Sequence, residues 1–129
     1  MRIWGILSEG IQQAQSATKL ILAPQHDQML LRKNLHEAGF TISDETLVRE
    51  TIGGKEHFYV IIATHHTGEK YNWTQQEYFL GKYLIEKRGN DFKAYVRQER
   101  NKIEAYITNI RDDKALHGVR ERLMWLNYS

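Results

Sequence analysis

Apolar positions follow two periods along this chain, and the switches between them outline its elements. Ile3, Trp4, Ile6, Leu7 and Ile11 fall at helical spacing and predict a helix over Ile3–Gln15. Leu20-Ile21-Leu22-Ala23 is a short continuous apolar run closed by Pro24, the pattern of a central parallel strand buried on both faces. Asp27 can cap a second helix whose stripe is Met29, Leu30, Leu35 and Ala38, and Gly39 stands where a left-handed C-terminal cap belongs. Phe40, Ile42, Thr46 and Val48 then read as a strand, interrupted by acids such as Asp44 and Glu45, and Gly53-Gly54 marks a hairpin turn. The returning strand, His57 to about His65, sets Phe58, Val60 and Ile62 on one face and Tyr59, Ile61 and Ala63 on the other. Apolar on both faces, it is expected to be internal.

The character changes after Thr67-Gly68. Thr74 and Glu77 have capping-box spacing, and Tyr78, Phe79, Leu80, Leu84 and Ile85 give the following helix its apolar face, ending at Arg88-Gly89-Asn90. Phe92, Val96, Glu99, Ile103, Tyr106 and Ile110 then form a heptad seam. A turn at Asp112-Asp113-Lys114 leads into Leu116, Val119, Leu123 and Leu126, which continue it. Two seams joined by a short turn predict an antiparallel helical hairpin. The expected organisation is an α/β portion over residues 1–68 and a helical arm over residues 69–129. Helix, strand, helix and hairpin in that order read as the back end of an open α/β sheet, and no glycine-rich phosphate or cofactor turn accompanies them.

Composition narrows the class. At 129 residues with 41% hydrophobic content the chain suits one ordinary domain, or a small domain with an appendage. No apolar stretch is long enough for a membrane span, and the first residues lack a signal-peptide core, so the expected partners exclude a membrane and the expected location is cytoplasmic. The absence of cysteine excludes disulfides and thiolate metal sites. Net charge is only +2, yet residues 1–66 balance at −1 and residues 67–129 at +3. The excess peaks between Lys82 and Lys102, where seven cations face three acids.

The runs Ile6-Leu7-Ser8-Glu9-Gly10, Leu20-Ile21-Leu22-Ala23-Pro24, Leu31-Arg32 with Leu35, and Gly39-Phe40 carry a resemblance, as do Phe58-Tyr59-Val60-Ile61-Ile62-Ala63 and Phe79-Leu80-Gly81-Lys82-Tyr83-Leu84. In order and spacing they resemble the second half of the bacterial tRNA (adenine-22-N1)-methyltransferases of the TrmK type, over roughly residues 3–110. The resemblance implies the C-terminal portion of a Rossmann-like class I methyltransferase sheet: a parallel strand plus an antiparallel hairpin with flanking helices, followed by an α-helical coiled-coil hairpin. It implies S-adenosylmethionine as cofactor and tRNA as partner of the parent enzyme. The family's cofactor turn, acidic ribose-binding residue and Gly-Met-Gly-Gly turn are expected upstream of Met1, so the chain alone is expected to be truncated, inactive and without cofactor. The family's Gln-Pro-Asn after the fifth strand stands here as Ala23-Pro24-Gln25, where Gln25 can substitute for the second amide.

Pro24, Gln25 and His26 follow the carboxyl end of the strand, where open α/β sheets place ligands, and are candidates for a target-base pocket rather than an ordinary loop. Lys87, Arg88, Lys93, Arg97, Arg100 and Lys102 are candidates for tRNA phosphates, against the alternative of a solvated helix face. Tyr71, Trp73 and Tyr95 nearby could stack on unpaired bases. His57, His65 and His66 do not converge as metal ligands do, and no metal is expected. Trp125 and Tyr128 read as packing anchors. A non-catalytic RNA-binding or protein-interaction module is the other reading. Without the neighbour of the Leu20–Ala23 strand, an apolar edge is expected to drive self-association.

Overall fold

The computed structural model describes residues 19–109 and 112–127. The helix expected over Ile3–Gln15, Ile110 of the seam and Tyr128 lie outside the described residues. The order is β1 (Leu20–Leu22), α1 (Gln28–Glu37), β2 (Phe40–Ile52), β3 (Lys55–His66), α2 (Gln75–Leu80), α3 (Lys82–Lys87), α4 (Asn90–Ile107) and α5 (Asp113–Trp125). The class is α/β.

The sheet order is β1-β3-β2, with β3 internal as its two apolar faces require. Gly53 and Gly54 take φ of +58° and +76°, the left-handed pair that a two-residue hairpin turn needs. Among the described residues β1 pairs antiparallel with β3, Leu20 opposite Thr64 and Leu22 opposite Ile62. The expected parallel strand thus has no parallel neighbour among the described residues, where the three strands pair antiparallel only. The described helices pack on one side of the sheet, so among the described residues β1 is covered on one face. Leu20 and Leu22 pack against the core there, whereas Ile21 is 57% exposed.

One apolar cluster runs through the described chain. Leu31 and Leu35 of α1, Phe40 and Ile42 of β2, and Val60 and Ile62 of β3 meet Leu80, Leu84, Phe92, Val96 and Leu126 from the helical half. The heptad seam contributes its near end: Phe92, Val96, Val119 and Leu126 are buried, while Tyr106 toward the turn is 57% exposed. Trp125 anchors α5 by its ring, 5.5 Å from Phe79.

Two helix boundaries depart from expectation. Asp27 precedes α1 but makes no side-chain cap, because its φ of +53° is left-handed rather than the extended geometry that capping uses. The helix expected from Thr74 to Lys87 is two helices. It begins with the expected capping box, Glu77 N donating to Thr74 Oγ1 at 3.1 Å and Thr74 N to Glu77 Oε1 at 2.9 Å. It breaks at Gly81, whose φ is +98°. A Cβ there would lie 2.7 Å from Arg32 Nη2 and 2.9 Å from both Glu45 carboxylate oxygens, so a buried ion pair occupies the space.

Candidate nucleic-acid interface

That ion pair sets the position of the helical half. Arg32 and Glu45 are each about 1% exposed, with Arg32 Nε donating to Glu45 Oε2 at 2.6 Å. Arg32 Nη1 donates to the carbonyls of Tyr78 and Phe79 at the end of α2, at 2.9 and 3.3 Å. Glu45 Oε1 accepts from Tyr83 N at the start of α3, at 3.1 Å. A cation thus meets a helix C-terminus and an anion a helix N-terminus, as the helix dipoles favour. Sequence reading took Glu45 for an interruption of the strand. A bulge at Ile42/Asp44 shifts the alternation so that Glu45, not a neighbour, turns inward, and a bulge leaves little trace in sequence.

The end of the sheet at the carboxyl terminus of β1 is built from three parts. Beyond β1, Pro24 is buried while Gln25 and His26 are exposed. Beyond the level of Leu22, the β2–β3 hairpin continues from the Thr46–Ile61 pair to Ile52–Lys55. That projection is about 20 Å at strand rise, on the same side as the Pro24 loop. Helix α4 packs along the hairpin: Gln98 Nε2 donates to the Glu56 carbonyl at 3.0 Å, and Arg49 bridges Glu56 and Asp91 at 2.9 and 3.3 Å. Arg49 holds the Glu56 carboxyl below its usual range.

The six basic candidates divide among three places. Arg88, Lys93, Arg97 and Arg100 line one open cleft of about 610 Å³ beside Leu126 and Asn127. Arg97 and Lys102 also line a groove of about 670 Å³ against the hairpin, with Arg49, Lys55 and His57. Lys87 goes elsewhere: its Nζ pairs with Asp44 at 2.8 Å and donates to the Glu45 carbonyl, tying α3 to β2. That contact holds the Asp44 carboxyl below its usual range. Arg88, which lines the four-cation cleft, adopts φ +52°, a strained conformation for a residue with a side chain. Among the aromatic candidates, Tyr95 is withdrawn. It is 7% exposed, packs on Phe58 and Phe92, and its phenol is pushed up to about 12 by burial. Tyr71 and Trp73 sit on the segment before α2, away from these clefts.

The profile of the TrmK family, tRNA (adenine(22)-N(1))-methyltransferase, matches residues 1–124. No curated protein matches the sequence. Among solved structures the chain is similar to Streptococcus pneumoniae Sp1610, a candidate tRNA (m1A22) methyltransferase, at 22% identity and TM-score 0.80, covering 96% of this chain and 54% of that one. The same protein in complex with S-adenosyl-L-methionine aligns at TM-score 0.75, again at 22% identity, covering 96% and 52%. An uncharacterised protein from Listeria monocytogenes serotype 4b aligns at 27% identity and TM-score 0.77, covering 98% and 55%. The chain therefore spans about half the length of these solved relatives.

Proposed function

The chain belongs to the TrmK family of tRNA (adenine(22)-N(1))-methyltransferases, and from that premise we propose that it is a portion of an S-adenosylmethionine-dependent tRNA methyltransferase. In this reading residues 1–68 supply the closing strands of a Rossmann-like catalytic sheet and residues 69–129 an arm that meets tRNA. The observation that carries it is the gathering of Arg88, Lys93, Arg97 and Arg100 in one cleft of α4, the helix packed along the hairpin beyond the ligand-side end of β1.

Adenine N1 lies on the base-pairing edge, so the target must be presented out of its stack. Pro24, Gln25 and His26 floor the place where such a base would enter, and the α4 cations hold the adjoining phosphates, giving affinity that falls with salt. Nothing among the described residues fits the cofactor. No glycine-rich turn follows β1, and its carboxyl end offers one buried proline and two exposed polar side chains. Cofactor chemistry is therefore assigned to no residue here, and the chain alone is proposed to be inactive. Isothermal titration with S-adenosylmethionine should give no micromolar binding; a micromolar Kd would overturn this assignment.

The same reading places the protein in the cytoplasm, consistent with the lack of a described helix long and apolar enough to cross a membrane. It also includes self-association through the outer edge of β1, supported by the exposed Ile21. The second reading, a non-catalytic RNA-binding or protein-interaction module, rests on the basic clefts, which form without a cofactor cradle among the described residues. Reversing Arg97 and Arg100 to Glu tests the RNA role of both readings. Weaker tRNA binding with a salt slope lower by about two supports phosphate contacts, and unchanged binding rejects them.

A further inference from the structure

A second pocket lies at the opposite end of α1 from the Pro24 loop, one ten-residue helix or about 15 Å away. It is a cavity of about 550 Å³ between the last turn of α1 and the segment that joins β3 to α2. Its wall is aromatic and fixed. His36 is 2% exposed, with ring centroids 4.9 Å from Trp73, 5.4 Å from Tyr78 and 6.0 Å from Tyr71. His36 Nδ1 lies 2.9 Å from the Tyr78 hydroxyl, which accepts from Trp73 N at 3.1 Å. The segment is pinned upstream, where Thr67 N and Gly68 N both donate to the Gly39 carbonyl, at 3.0 and 2.9 Å. Tyr71 remains 40% exposed at the opening.

Charge and shape narrow the ligand. Lys33 and Lys70 line the pocket with one lining carboxylate, Glu37, while the Glu69 carboxylate is engaged by the Tyr71 hydroxyl, and burial keeps His36 below its ordinary pKa. Two ammonium groups beside an aromatic wall suit a ligand that joins an anion to a flat ring. Asn72 and Gln75 on the rim offer amide donors and acceptors of the kind that meet a base edge. The volume is within the range of about 300–1,000 Å³ found for small-ligand sites.

We propose that this pocket binds a nucleotide, with the base on Tyr71 and Trp73 and the sugar's phosphate between Lys33 and Lys70. The nucleotide is either an unpaired residue of a bound RNA strand or a free mononucleotide. The RNA source rests on the tRNA reading above and extends it to a second contact, in a pocket that shares no lining residue with the basic clefts.

The test uses the whole 129-residue chain, with AMP in calorimetry and a short unstructured 5′-phosphorylated oligoribonucleotide in fluorescence anisotropy. Tyr71→Ala is expected to weaken binding of the ligand that occupies the pocket about tenfold, the effect of losing one stacked base. Lys70→Ala is expected to lower the salt slope of oligonucleotide binding by about one. Binding of the oligonucleotide with no AMP binding identifies the RNA strand as the source, and comparable AMP affinity identifies the free nucleotide. Circular dichroism melts confirm folding; should Tyr71→Ala fail to fold, Lys70→Ala alone decides. Wild-type affinity in the folded variants overturns the proposal. If Arg97→Glu with Arg100→Glu weakens tRNA binding in that same case, the basic-cleft reading survives and only this pocket falls.

Discussion

Arg32 and Glu45 illustrate how much a single buried pair decides. Each charge is out of water, so removing one partner leaves the other uncompensated. Arg32→Met alone is expected to cost about 3–5 kcal/mol in urea unfolding, whereas Arg32→Met with Glu45→Leu should recover much of the loss. A double variant as unstable as the single one would show that the pair is not the source. His36 makes a pH-dependent contribution of known sign. Burial lowers its folded pKa below the ordinary 6.5, so as pH falls the unfolded chain takes the proton first. The contribution is complete above about pH 6.5 and declines as pH falls through that value toward the lower folded one. The Tm should therefore drop between pH 7.5 and 5.5, and His36→Gln should flatten that slope. An equally steep slope in the variant would place the titration elsewhere.

At the scale of elements, the break between α2 and α3 positions the arm. Gly81 permits it twice over: its φ of +98° suits glycine, and the absent Cβ leaves room for the ion pair. Gly81→Ala is expected to cost at least about 2 kcal/mol, combining backbone strain with displacement of Arg32 and Glu45. Thr74→Ala, which removes the Thr74 hydroxyl's bond of the α2 capping box and leaves that of Glu77, should cost about 1 kcal/mol. Chemical denaturation of the two variants ranks them, and a Gly81→Ala loss below that of Thr74→Ala would mean that the break tolerates a side chain.

At the scale of the molecule, the described helices cover one side of the sheet, and Ile21, Val48 and Tyr59 are exposed. Together with the outer edge of β1, this is the surface through which copies are proposed to associate. Size-exclusion chromatography with light scattering should show dimers or larger species at micromolar concentration, and Ile21→Lys should shift them toward monomer. A strict monomer across that range would reject the association.

Local pattern was enough for the strands, the Gly53-Gly54 turn, the Thr74–Glu77 box and the internal place of β3. Each depends on neighbours within a few residues, or on a face whose polarity is read directly from the alternation. The resemblance to the TrmK-type enzymes was legible for the same reason, in the order and spacing of short runs. The tertiary structure decided what depends on distant partners. Glu45 became a buried anchor because a bulge turned it toward Arg32, thirteen residues away. Lys87 left the basic set because Asp44 lies beside it, and Tyr95 left the stacking set because Phe58 and Phe92 enclose it. Lys33 and His36 joined Tyr71 and Trp73 in one pocket only when the end of α1 met the segment after β3. Periodicity assigns a side chain to a face; only packing decides which distant residue that face meets.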